Sequence, residues 1–131
     1  MKKYTKEILE KEGYHIENAR IAAVSLNMMN HACLSLDLTL EGNGWGVVYG
    51  GYCLGHGYLG AEDEDFQGSA AGMEAIMMIM NTVGVSDLSD LKNKYVRVAL
   101  GGRLSDPVKI IGNIIKDKWF DYKTFFEDKG N

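Results

Sequence analysis

Residues 33–41 alternate with period two: Leu34, Leu36, Leu38 and Leu40 fall on one side, and Ser35, Asp37, Thr39 and Glu41 on the other. That pattern belongs to a strand with one buried and one wet face, because successive side chains of a strand point to opposite faces. The residues that follow, Glu41-Gly42-Asn43-Gly44, are a hairpin signal, since Asn-Gly tolerates the positive φ angles of a tight turn. The chain then returns antiparallel through Gly44-Trp45-Gly46-Val47-Val48-Tyr49-Gly50-Gly51-Tyr52. Glycine weakens a strand. One that carries so many has exchanged side-chain packing for a bulge, a sharp bend or close approach by a ligand or another backbone. Aromatic faces beside bare amides suit a planar ring and a phosphate.

The remaining elements can be read around this hairpin. Residues 5–12 form a short peripheral helix, capped by Thr5 and stopped by Gly13. Residues 22–28 alternate as a half-buried strand, and Asn30-His31 is a turn. Residues 54–68, with four glycines and the acidic run Glu62-Asp63-Glu64-Asp65, read as a long exposed loop. From 69 to 83, Ala70, Met73, Ile76, Met77, Met80 and Val83 recur at helical spacing between a Ser69 cap and a Gly84 stop, and the run Met77-Met78-Ile79-Met80 is read as core. Residues 87–91 make a helical turn. In 94–100, Val96, Val98 and Leu100 share the core face while Tyr95 and Arg97 share the other. Residues 108–115 are the last strand, followed by an aromatic tail of Trp119-Phe120 and Phe125-Phe126. The expectation is an α+β fold: one domain over residues 1–131, with a mostly antiparallel sheet of about five strands, one main helix packed on it and short terminal helices.

Composition narrows the function. The 131 residues are 46% apolar with a formal net charge of −4, enough for one hydrophobic core. The first residues lack an apolar stretch after Lys6, and no run approaches the ~18 apolar residues of a membrane span, so a soluble cytoplasmic protein is expected, with no membrane partner. The acidic balance argues against a nucleic-acid polymer, which draws on a basic stripe. Cys33 and Cys53 are read as reduced and buried, a disulfide being the alternative.

Several motifs fail on context. Gly55-His56-Gly57-Tyr58-Leu59-Gly60 fits the dinucleotide-binding spacing, but four acids follow it where a helix should open towards a pyrophosphate. His31-x-Cys33 and Cys53-x-x-His56 offer zinc-type ligands without a Cys-x-x-Cys knuckle, so no metal is expected. Cys53 with His56 lacks a third group to orient the imidazole. No catalytic set and no cofactor is expected, and the chain is read as a non-enzyme.

The ordered motifs Ile16-Glu17-Asn18-Ala19-Arg20-Ile21, Val24-Ser25-Leu26, Gly44-Trp45-Gly46 with Gly50-Gly51-Tyr52, Gly72-Met73, Val83-Gly84-Val85, Lys94-Tyr95-Val96-Arg97-Val98, Ile111-Gly112-Asn113-Ile114 and Asp117-Lys118-Trp119-Phe120 span nearly the whole chain. Over residues 15–121 the sequence resembles a family of small phage and prophage proteins, the first of the two kinds of Thoeris anti-defence protein. The resemblance implies a molecular sponge: it holds, without degrading it, a cyclic ADP-ribose signal made by a bacterial TIR-domain enzyme, in the cytoplasm of the infected host. It also implies a homo-oligomer built from dimers, with pockets near subunit contacts and, in some members, separate sites for cyclic oligonucleotides. Arg97 matches the family's arginine in the Lys-Tyr-Val-Arg-Val strand and is the first candidate for a phosphate contact. Phe66, Asp90 and Asp106 join it as candidate ligand residues.

The residue types agree with such a ligand. Two phosphates, an adenine and riboses call for arginines, an aromatic face and amide or hydroxyl partners, which Arg97, Arg103, Tyr49, Tyr52 and Asn113 supply. Arginine is scarce, three against eleven lysines, and its planar fork binds phosphate at two points. Two rival readings stand beside the sponge: an inhibitor that grips a host protein through the aromatic tail, and a nucleotide hydrolase using His31, His56 and the acids of 62–65.

Overall fold

The computed structural model describes residues 3–30, 32–101 and 106–129. Its sheet is organised by one strand of 16 residues, β1 (His15–Asn30). The first part, His15 to Arg20, pairs antiparallel with β6 (Tyr95–Leu100), and the second pairs with β2 (Cys33–Glu41) from Arg20 onward. A register shift between Ile21 and Ala23 makes a bulge at Ala22. Before it the inward residues are Ala19 and Ile21, both buried, and after it Val24 and Leu26 stand opposite Leu38 and Leu36. One inserted residue keeps apolar side chains on the same side of the sheet from Ala19 to Leu26, the last of which is 46% exposed, and a second register shift follows between Asn27 and Asn30.

Along the free edge of β2, the chain runs back as β3 (Gly46–Tyr49) and then β4 (Gly55–His56), so both short strands pair with the same neighbour. The hairpin at Asn43-Gly44 forms as expected, with Gly44 at φ +80°. Between β3 and β4, Gly50 leans on Asp37, whose Oδ1 accepts from the Gly51 N–H at 3.0 Å. Adding β5 (Gln67–Gly68), β7 (Ile110–Asn113) and β8 (Trp119–Asp121) gives an antiparallel sheet in the order β5-β4-β2-β1-β6-β7-β8. The fold class is α+β, as expected, with eight strands rather than about five.

Three helices cover this sheet: α1 (Lys6–Lys11), α2 (Ala70–Val83) and α3 (Tyr122–Asp128). The caps are those expected from sequence: Thr5 Oγ1 accepts from the Ile8 N–H at 3.1 Å, Ser69 Oγ from the Gly72 N–H at 3.0 Å, and Gly84 ends α2 in the left-handed region at φ +95°. The main core joins Ile21, Leu36, Leu38, Leu40, Val96 and Val98 to residues of α2 and α3. On the opposite face Leu9 of α1 packs with Ala99 and Ile110, beside Ile16, Tyr14 and Trp119.

Four expectations are corrected. The segment 54–68 is not a plain loop, since it carries β4, β5 and a 3-10 turn over Asp63–Asp65. The aromatic tail is interior: Phe120, Tyr122, Phe125 and Phe126 are buried, with Tyr52 against Tyr122 at a 4.4 Å ring separation. Helix α2 buries Gly72, Ala75, Ile79 and Thr82, while Met73 and Met77 remain 68% and 63% exposed. Gly72 explains that choice of face, because a Cβ there would strike the Leu54 carbonyl, so α2 lies down on its smallest residues. Finally, Cys33 and Cys53 are joined as a disulfide; antiparallel pairing of the chain along β2 brings their Cα atoms to 5.1 Å despite a sequence separation of 20.

Three substitutions test this packing. Gly72→Ala should cost about 2 kcal/mol of stability, read as a lower denaturant midpoint at unchanged slope. Among the described residues, the Tyr122 hydroxyl is buried without a partner, whereas the Tyr49 hydroxyl donates to the Phe120 carbonyl at 3.2 Å. Tyr49→Phe should therefore lose about 1 kcal/mol and Tyr122→Phe none, compared by the same denaturation.

Candidate functional site

A cleft of about 640 Å³ opens between the end of α1, the approach to β7 and α3, and its volume falls within the ~300–1,000 Å³ of small-molecule pockets. Gly13, at φ +95°, turns the chain out of α1 and delivers Glu12 and Tyr14 to one wall. The end of β6 contributes Ala99 and Gly101, the approach to β7 contributes Asp106, Pro107 and Lys109, and α3 contributes Lys123. Tyr52 completes the lining. The Tyr122 N–H donates to the Lys109 carbonyl at 2.8 Å, which fastens the start of α3 to the approach to β7 that bears Lys109.

The cleft thus offers two ammonium groups, two phenols and two carboxylates. Partial burial works against the Lys109 charge, but a hydrogen bond to Tyr14 and the nearby Tyr14, Asp121 and Glu127 outweigh it and raise the ammonium above 10.5. Burial, then the charges of Asp121 and Glu127, raise the Tyr52 phenol above 10.0. Both groups act as hydrogen-bond donors at neutral pH. Behind them Asp121 is buried and caps α3, its Oδ1 accepting from the Thr124 N–H at 2.9 Å and its Oδ2 from the Thr124 hydroxyl at 2.8 Å. A fixed carboxylate so near supports positive charge at Lys109.

Of the residues singled out from sequence, the cleft brings together Tyr52 and Asp106. Arg103 lies outside the described residues. Tyr49 is in the core. Phe66, 44% exposed, rests over Gly57 beside the β4–β5 pair, and Asp90 is exposed on the 3-10 turn Leu88–Leu91.

Arg97 and Asn113 form a brace outside the cleft. Arg97 faces away from the main core as expected, and it donates from Nε to the Asn113 carbonyl and from Nη2 to the Lys116 carbonyl, both at 2.8 Å. Its guanidinium lies 4.6 Å from the Trp119 ring centre, and that ring fills the space a Cβ on Gly112 would need. Asn113 donates to the Thr82 and Val83 carbonyls at 3.0 and 3.2 Å and accepts from the Ile115 and Lys116 N–H groups at 2.9 and 2.8 Å. It therefore closes the β7–β8 turn and ties it to the last turn of α2.

The cleft residues absent from the sequence reading are Glu12, Tyr14, Lys109 and Lys123. Their types are common, and only the fold brings them together. The available signal was the single proline, Pro107, which rigidifies the approach to β7 beside Lys109.

The chain matches no protein-family model, no curated protein and no solved structure. The cleft itself is then the basis for a functional reading. The brace predicts that Asn113→Ala, which removes four hydrogen bonds, lowers stability by about 3 kcal/mol. Equilibrium unfolding measures this, and ligand affinity of the folded fraction should not change.

Proposed function

We propose that the protein is a sponge for a cyclic ADP-ribose-type nucleotide, holding an immune signal intact in the cytoplasm of an infected bacterial host and so blocking Thoeris defence. The observation that carries the reading is the cleft lined by Lys109, Lys123, Tyr14 and Tyr52, together with Glu12 and Asp106. The ammonium groups meet phosphate oxygens as point charges, a phenol ring offers a stacking face to the adenine, and the carboxylates accept from ribose hydroxyls. Arg103 belongs to the stretch 102–105 that separates the cleft residues Gly101 and Asp106 in sequence, and it remains a candidate phosphate contact.

Sequestration sets a demand on affinity. Holding most of a micromolar signal takes a binding free energy of about −10 kcal/mol or better. A homo-oligomer that closes the cleft at a subunit contact would help to meet it by burying more of the ligand. The exposed Met29, Leu59, Met73 and Met77 are apolar surface that such self-association would cover. The rival reading through an exposed aromatic tail loses its motive, because those aromatics are interior.

Purified protein is incubated with cyclic ADP-ribose isomers, filtered free of unbound ligand, heat-denatured, and the released material identified by chromatography. Intact ligand is expected. A converted product would replace the sponge with an enzyme, and empty protein would remove the reading. Lys109→Gln should weaken retention about tenfold or more, the scale of one charge-assisted hydrogen bond. Retention undiminished in both Lys109→Gln and Lys123→Gln would move the site out of the cleft. Because the Lys109 pKa is raised, its charge persists as pH rises from neutrality and is lost only beyond 10.5. Binding to the native protein should stay level over that range.

A further inference from the structure

Cys33 and the nearby pair Cys53 and His56 come from two parts of the chain and converge at the β2–β4 pair. Cys33 lies directly opposite His56 in the register. Two backbone bonds fix the approach: the Leu54 N–H donates to the Leu34 carbonyl at 2.7 Å, and the Gly57 N–H to the Ala32 carbonyl at 2.8 Å. The Cys53 Sγ is 3.8 Å from the His56 Nδ1, and the three candidate ligand atoms all lie within 4.8 Å of one another.

These spacings suit a tetrahedral ion. Zinc bonds sulfur at about 2.3 Å and imidazole nitrogen at about 2.0 Å, which puts neighbouring ligand atoms roughly 3.5–3.8 Å apart. Cys53 Sγ and His56 Nδ1 already have that separation, and reduction lets the two sulfurs part. We infer that Cys33, Cys53 and His56 form a zinc site in the reduced protein, and that the disulfide is its oxidised, metal-free form. Cys33 and Cys53 bind as thiolates and His56 through Nδ1, with its Nε2–H turned outward. His56 is exposed, so the fourth position faces solvent and takes a water molecule. The cation stabilises both thiolates at neutral pH and fastens β4 to β2 as the disulfide does.

The two forms interconvert through thiol–disulfide exchange with a small disulfide such as glutathione disulfide. One protein thiolate attacks a sulfur of the oxidant and displaces a glutathione thiolate. The second protein thiolate then attacks the mixed disulfide and displaces the other. The cysteine pair gives up two electrons, glutathione disulfide takes them up with two protons to become two glutathione thiols, and the divalent ion leaves. The three ligands are separate from the cleft lining, so the site stands independently of the nucleotide reading.

Cobalt(II) is the probe. The fully reduced native protein, titrated with cobalt, should bind one ion per chain and show thiolate-to-metal charge transfer with the intense visible bands of tetrahedral coordination, which zinc then bleaches. The oxidised protein should show neither. His56→Ala, a change at an exposed position, should keep the native circular dichroism and weaken cobalt binding by more than the roughly tenfold that loss of an outer-shell partner costs. Glutathione disulfide added to the zinc form should release the ion in step with loss of two free thiols. Absence of the cobalt spectrum in reduced protein overturns the site, as does a spectrum and affinity unchanged in folded His56→Ala.

Discussion

The sheet depends on β1 pairing continuously with two different partners on either side of a bulge. Its first part carries β6, β7 and β8, and its second part carries β2 with β3, β4 and β5 beyond it. A strand of even period would turn its apolar residues outward along one of those parts, because Ala19 and Ile21 are odd-numbered while Val24 and Leu26 are even. The extra residue at Ala22 reconciles them. Both halves of the sheet therefore face the same core, over which α2 and α3 pack.

That arrangement divides the polar residues into two kinds. Arg97 and Asn113 have the chemistry of ligand contacts, yet their hydrogen bonds go to backbone carbonyls and N–H groups of the β7–β8 turn and the end of α2. Turn groups outside the ladder take their partners from side chains or water, and here the side chains of Arg97 and Asn113 reach them. Lys109 and Tyr52 instead line open space, and against its partial burial Lys109 is held charged by its hydrogen bond to Tyr14, with Asp121 and Glu127 nearby. The residues best suited by type to bind phosphate hold the fold together, and lysines line the cleft.

The local signals were legible in the sequence. The leucine alternation of β2, the Asn-Gly turn and the Ser69 and Gly84 limits of α2 each depend on a few neighbouring residues. The first part of β1 was hidden because α1 covers its outer face, so apolar residues occur on both faces and the alternation blurs. β8 has only three residues, too few for a period. The face of α2 was misjudged because hydrophobicity favoured Met73 and Met77, whereas close approach of a backbone favoured Gly72. The cleft was illegible for a different reason: its residues share no motif and lie up to 111 positions apart, from Glu12 to Lys123.

The same separation has a consequence for synthesis. One wall of the cleft is made from Glu12 and Tyr14, and another from Lys123, which is synthesised much later. The hairpin of β2 and β3 needs only neighbours in sequence, but α1 must wait for β7 and α3 before its side of the cleft has an opposite side. A nascent chain can therefore be folded through most of its sheet and still hold no ligand. Competence arrives with α3, so a chain interrupted before Lys123 would be a sheet without a site.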